Sequence, residues 1–140
     1  RENKYLAIHL GDGVIGSEIE IYGKRWMRTI SVPDNGEFAN ETHFITSKEA
    51  ADKTRGFHGR LDAAGTKTTG FILMSDGPEA VLFDKRKQTL AAACHKLLYA
   101  NRVLSSEETS KRLETTLKEV VSQKTSDDCS IALMSRQTSR

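Results

Sequence analysis

Three aspartates stand where apolar runs begin or end: Asp12 in Gly11-Asp12-Gly13, Asp76 in Ser75-Asp76-Gly77-Pro78, and Asp127 in Ser126-Asp127-Asp128. The end of a strand holds a side chain rigidly, which suits groups that must converge on one ligand. Carboxylates brought within a few ångströms repel one another unless a proton or a cation intervenes. Mg²⁺ or Mn²⁺ is the natural counter-charge, because hard divalent ions prefer carboxylate and water oxygens. Each aspartate also has a plainer reading. Asp12-Gly13 is a turn dipeptide, Asp76 stands where a helix needs a cap, and Asp127-Asp128 ends a surface loop. Periodicity alone does not show that the three converge.

Other chemistries lack their residues. Ser75 precedes Asp76 without the Gly-x-Ser-x-Gly elbow of a serine hydrolase. No Gly-x-Gly-x-x-Gly and no glycine loop of the nucleotide-binding kind occurs. His9, His43, His58 and His95 are scattered, with no pair at ligand spacing, and read as structural or surface residues.

The elements that would position the aspartates follow from the pattern. Leu6, Ile8 and Leu10 share one face of an alternating run, and Ile15, Ile19 and Ile21 continue the two-residue period beyond Gly11-Asp12-Gly13. This predicts strand, tight turn, strand, because Asp-Gly supplies the positive φ of hairpin turns. Tyr22-Gly23-Lys24 predicts a second turn and residues 25–32 a third strand, so an antiparallel meander opens the chain. Pro33-Asp34-Asn35-Gly36 breaks it. His43 to Thr46 predicts a short strand, Ser47 to Thr54 a short helix capped by Ser47, and Phe57 with Leu61 one exposed strand. Gly70 to Ser75 is a continuous apolar run, the mark of a central strand buried on both faces.

Two helices follow. Pro78 fits a first helical position, and Leu90, Cys94, Leu97 and Leu98 form an apolar stripe. Ser105 with Glu108 has the form of a capping box, and Leu113, Leu117, Val120 and Val121 mark one helical face. Cys129 to Met134 reads as a closing strand, and residues 135–140 as a polar tail.

With 140 residues the chain is one domain or a piece of one, and 37% hydrophobic with 29% charged residues fits a soluble globular chain. A net charge of +2 with interspersed signs gives no nucleic-acid footprint. Lys85-Arg86-Lys87 reads as solvated surface. No stretch approaches the ~20 apolar residues that span a membrane, and residues 1–10 lack the order of a secretory signal. Cys94 and Cys129 lie in apolar segments without metal-type spacing, so both read as buried reduced thiols. A cytoplasmic location follows.

The order of these pieces resembles the protein phosphatase 2C family of metal-dependent Ser/Thr phosphatases, specifically the C-terminal part of its catalytic domain. His9-Leu10-Gly11-Asp12-Gly13 followed by a strand looks like that family's Gly-Asp-Ser hairpin. Phe71-Ile72-Leu73-Met74-Ser75-Asp76-Gly77 looks like its apolar strand ending in Asp-Gly. Ser126-Asp127-Asp128-Cys129-Ser130-Ile131-Ala132-Leu133 looks like its final Asp-Asn motif and terminal strand. Gly36-Glu37-Phe38-Ala39-Asn40-Glu41-Thr42 also resembles a segment common in a bacterial branch. The resemblance covers Tyr5 to Met134.

It implies an α+β fold, an antiparallel β-sandwich flanked by helices, with a dinuclear Mg²⁺/Mn²⁺ centre at one end. By motif, Asp76 and Asp127 would be carboxylate ligands of that centre, Asp128 a neighbour, and Asp12 a ligand of an additional, weaker metal site. Residues 33–69 would include the flap beside the active site. The implied reaction is hydrolysis of a phosphoserine or phosphothreonine ester of a protein substrate by a metal-activated water, with no side chain as nucleophile. The family's Asp-Gly-x-Gly-Gly-like motif and phosphate-gripping basic residue are not found in this sequence, and Gly13 stands where Ser is usual. The expectation is therefore a fragment inactive by itself, completed by the missing N-terminal part or by self-association. The alternative is a non-catalytic, phosphatase-like regulatory or interaction module.

Overall fold

The computed structural model describes residues 3–34 and 45–137. Three antiparallel sheets form among the described residues, one of them a short hairpin between two helices. In the smaller of the other two, β1 (Lys4–His9) pairs with β4 (Arg55–Arg60). In the larger, β3 (Lys24–Ser31), β2 (Val14–Ile21) and β6 (Thr66–Met74) lie side by side. The far edge of β6 is shared by β5 (Asp62–Ala63) at its start and β9 (Ile131–Ser135) at its end. The expected exposed strand is β4, and the expected central strand is β6.

The β2–β3 hairpin turns through Tyr22 and Gly23, with φ of +48° and +76°. Positive φ at both central residues is the turn whose twist matches the flanking strands. The hairpin expected at Gly11-Asp12-Gly13 does not form. β1 and β2 belong to different sheets, and the chain crosses between them with Gly11 at φ +99°. Alternation looks the same whether a strand pairs with its successor or leaves for another sheet. The apolar face of β1 is also its outer one: Leu6 is 72% and Ile8 64% exposed. Its other face links the sheets. Tyr5 meets the Phe71 ring edge-on at 5.1 Å, and Arg28 donates to Tyr5 Oη and Ser17 Oγ, each at 3.3 Å.

The helices are α1 (Ala50–Lys53), which buries no residue, and a layer of α2 (Asp76–Leu82), α3 (Ala92–Val103) and α4 (Ser106–Thr116), the last running into one π-helical turn at Leu117–Val121. Between α2 and α3 a hairpin of β7 (Phe83–Asp84) and β8 (Thr89–Leu90) interrupts the expected helix. Asp84 Oδ1 accepts from the N–H of Arg86 and of Lys87, each at 3.0 Å, and so builds its own turn. Leu90 therefore lies in a strand. Lys85 in that turn is more than solvated charge, because its ammonium pairs with buried Glu79 at 2.9 Å. Ser47 does not cap α1, whose N-cap is Glu49. Ile45 and Thr46 lie in a turn; His43 and Gly36 to Thr42 fall outside the described residues.

Val14, Ile72, Met74, Leu82, Phe83 and Cys94 form the core, between the large sheet and the helices. The capping box is present. Ser105 Oγ accepts from Glu108 N at 3.2 Å, and Glu108 Oε2 accepts from Ser105 N at 3.0 Å. Ser105→Ala is expected to lose about 1 kcal/mol, read by calorimetry as a melting temperature lower by about 3 °C. Among the described residues no helix is long and apolar enough to cross a membrane.

Candidate metal centre

Strand β6 ends at Met74, and the next residues turn into α2. Strand β9 begins opposite, with Ile131 paired to Met74. This pairing lays residues 127–130 against residues 75–77. Ser75 N donates to Ser130 O at 3.1 Å, Ser75 Oγ donates to Asp128 O at 3.1 Å, and Ser130 N donates to Ser75 Oγ at 3.1 Å. A Cβ on Gly77 would stand 2.6 Å from Asp128 O and 3.2 Å from Asp127 O. Only glycine allows so close an approach.

The carboxylates on these two segments are exposed. Asp76 Oδ1 accepts from Gly77 N at 3.0 Å, steadying the first turn of α2. Asp127 is held by Thr125, whose Oγ1 accepts from Asp127 N at 3.2 Å. Burial pushes the Cys129 thiol pKa up, and the charges of Asp128, Asp127 and Asp76 push it further. Residues far apart in the chain thus bear on one sulfur. Cys129 is half-buried, contrary to expectation, whereas Cys94 is fully buried and its pKa is pushed up to about 11, chiefly by desolvation.

Asp12 precedes β2, whose first residue Val14 pairs with Met74. It lies at the same end of the sheet, but on the side of β6 opposite β9. A Cβ on Gly13 would stand 2.5 Å from Met74 O, so this backbone has no room for the usual Ser. Asp12 belongs to a second group with His9, Asp34 and Arg55. Burial and then Arg55 lower the His9 pKa, while Asp12 and Asp34 act to raise it. Arg55 Nη2 lies 3.0 Å and Ser31 Oγ 2.7 Å from His9 Nδ1. The sequence reading missed this group, since a lone Arg at a strand start carries no signal.

The structure therefore brings Asp76 and Asp127 to adjoining segments, with Asp12 across β6 from them. Among the described residues no three His, Cys, Asp or Glu side chains form a set able to hold a metal ion. In kind, the donors fit: exposed carboxylate oxygens, with like charges that a hard cation would relieve.

An α+β domain with antiparallel sheets, a helical layer and carboxylates gathered at one sheet end is the class that these features define. The family model described as protein phosphatase 2C matches residues 1–127, a span that contains Asp12, Asp76 and Asp127. The chain belongs to the protein phosphatase 2C family. No curated protein and no solved structure matches it.

Proposed function

We propose that the chain serves a metal-dependent protein Ser/Thr phosphatase, with Asp76 and Asp127 as ligands of a Mn²⁺ or Mg²⁺ centre and Asp12 at a weaker additional site. The observation that carries this reading is the hydrogen-bonded seam joining Ser75 to Asp128 and Ser130, because it sets the two ligand segments side by side. When bound, a metal pair supplies a water nucleophile at neutral pH and neutralises phosphoryl charge. The chain's own part is positional. The seam fixes the ends of β6 and β9, and Asp76 and Asp127 offer oxygens without attacking the substrate. That substrate is a phosphoserine or phosphothreonine of a cytoplasmic protein.

The test is Mn²⁺-induced broadening of amide resonances at substoichiometric metal. Residues 75–77 and 126–130 should broaden together and first. Broadening spread evenly over the acidic surface would remove the proposed centre. The exposed Leu6–Ile8 face of β1 favours a second reading, a non-catalytic module that binds a partner protein. Under that reading no localised broadening occurs.

A further inference from the structure

We propose a second ligand site, for a phosphate group, at the end of the large sheet opposite the three aspartates. Strand β6 runs from one end to the other, and Lys67 and Met74 stand about 23 Å apart along it. At the Lys67 end a cleft of about 470 Å³ is lined by Glu20, Arg25, Asp62, Lys67, Arg102 and Arg136. Four cations there face Glu20 and Asp62, with buried Glu18 behind Arg102 and 3.8 Å from Arg25 Nε, so positive charge stays in excess by one.

Arg102 distinguishes this cleft from a charged surface. It projects from the last turn of α3 with a side chain only 3% exposed. Its Nη2 donates to Glu18 Oε2, yet its Nη1 is buried with no acceptor among the described residues. Glu18 is already engaged elsewhere: Oε2 also accepts from Thr69 Oγ1 at 2.6 Å, and Oε1 lies 3.0 Å from His95 Nδ1. A buried donor left unmade costs about 1–3 kcal/mol, more for a charged group. Arg102 lines the cleft, so an acceptor that reached Nη1 would remove that cost.

The other cations are anchored without being exhausted. Arg25 Nε lies 3.1 Å from Glu20 Oε2, and Arg136 Nη1 lies 2.6 Å from Asp62 Oδ1. A guanidinium carries five N–H donors, so each retains further donors beyond these bonds. Lys67 adds charge, and together with Arg136 and Asn3 it holds the Asp62 carboxyl below its usual range; the Arg136 hydrogen bond is the largest influence. Glu20 and Asp62 are already paired with Arg25 and Arg136. The ligand that complements what remains is an anion with several acceptor oxygens spread to meet separate N–H donors, which a phosphate group supplies. The cleft exceeds a bare phosphate in size, leaving room for a small body attached through an ester.

The experiment titrates inorganic phosphate, and in parallel O-phosphoserine, into the protein in EDTA while following amide chemical shifts. EDTA keeps the aspartate end from recruiting phosphate through a metal, so failure here leaves the proposed phosphatase centre untouched. Shifts should concentrate at Lys67, Thr69, Arg102 and Arg136, and exceed those given by NaCl at equal ionic strength. Lys67→Ala/Arg136→Ala should weaken binding about tenfold or more. It should keep the wild-type melting temperature within about 3 °C in phosphate-free buffer, since exposed pairs contribute little. Equal binding of both probes assigns the phosphate group alone as the determinant, and tighter O-phosphoserine assigns a monoester. Shifts matched by NaCl, or undiminished in the double variant, would overturn the site.

Discussion

Replacing Glu18 with glutamine is expected to lower the melting temperature by about 10–17 °C. Glu18 is 1% exposed in the middle of β2, and its carboxylate is the counter-charge of Arg102, itself almost wholly buried. Removing one member of a buried pair leaves the other uncompensated in a poorly solvated place, which costs about 3–5 kcal/mol. The same change on an exposed pair such as Lys118–Glu114 should leave the melting temperature almost unmoved. The double variant Glu18→Gln/Arg102→Met removes both charges and should regain most of the loss. A double variant as damaged as the single would show that shape, and not charge, is at stake. Acid supplies an independent check. Burial by itself pushes the Glu18 pKa up, but the Thr69 hydroxyl, His95 and Arg102 outweigh it and hold the carboxyl below the ordinary glutamate value. A depressed folded-state pKa contributes stability that is present above the unfolded value and lost as pH falls through the folded one. Wild type should therefore lose its advantage over Glu18→Gln between about pH 5 and the acid limit of folding, with the gap constant above that window, as measured by calorimetry.

Why Glu18 escaped the sequence reading is a matter of distance along the chain. It stands between Ile15 and Ile19 in a strand pattern, while Thr69, His95 and Arg102 follow 51, 77 and 84 residues later. Only features completed within a few residues were legible in detail. Tyr22-Gly23 carries its own turn geometry, and Ser105 with Glu108 carries both halves of a cap. The apolar run before Asp76 was legible because both faces of β6 are covered there, Ile72 and Met74 buried on one and Phe71 and Leu73 half-buried on the other. The partner of β1 was not, because pairing with β4 depends on residues 55–60 and not on the turn after His9. Nor was the β7–β8 hairpin, since the Asp84 side-chain turn competes with a helix that the flanking leucines support equally well. The tail also begins later than composition suggests: Ser135 closes β9, and Arg136 pairs with Asp62. At the candidate centre, the order of motifs pointed to Asp76 and Asp127, but their adjacency came from the β6–β9 register. His9, Asp34 and Arg55 beside Asp12 had no motif to reveal them.

Asparagine at Asp76 or at Asp127 is expected to weaken Mn²⁺ binding about 10–100-fold, whereas asparagine at Asp128 should change it no more than about threefold. A carboxylate oxygen about 2.2 Å from a divalent ion is attracted by several kcal/mol even at the dielectric of water, and displaced hydration returns part of this. A neighbouring carboxylate that does not touch the ion acts only through a longer, screened distance. In Asp76→Asn the amide oxygen can still accept from Gly77 N, as the Asp76 carboxylate does at 3.0 Å, so the start of α2 should survive. Without metal, either variant should melt at or above the wild-type temperature, because one of the like charges acting on Cys129 is gone. This separates lost ligation from lost folding. Asp12→Asn should spare the tighter binding, since Asp12 sits with His9 and Arg55 across β6 from the other two. Free Mn²⁺ measured by electron paramagnetic resonance decides each case. Loss at Asp128 with none at Asp127 would move the ligand register by one residue. Unchanged binding at both Asp76 and Asp127 would take the metal, and the phosphatase reading with it, away from this end of the sheet.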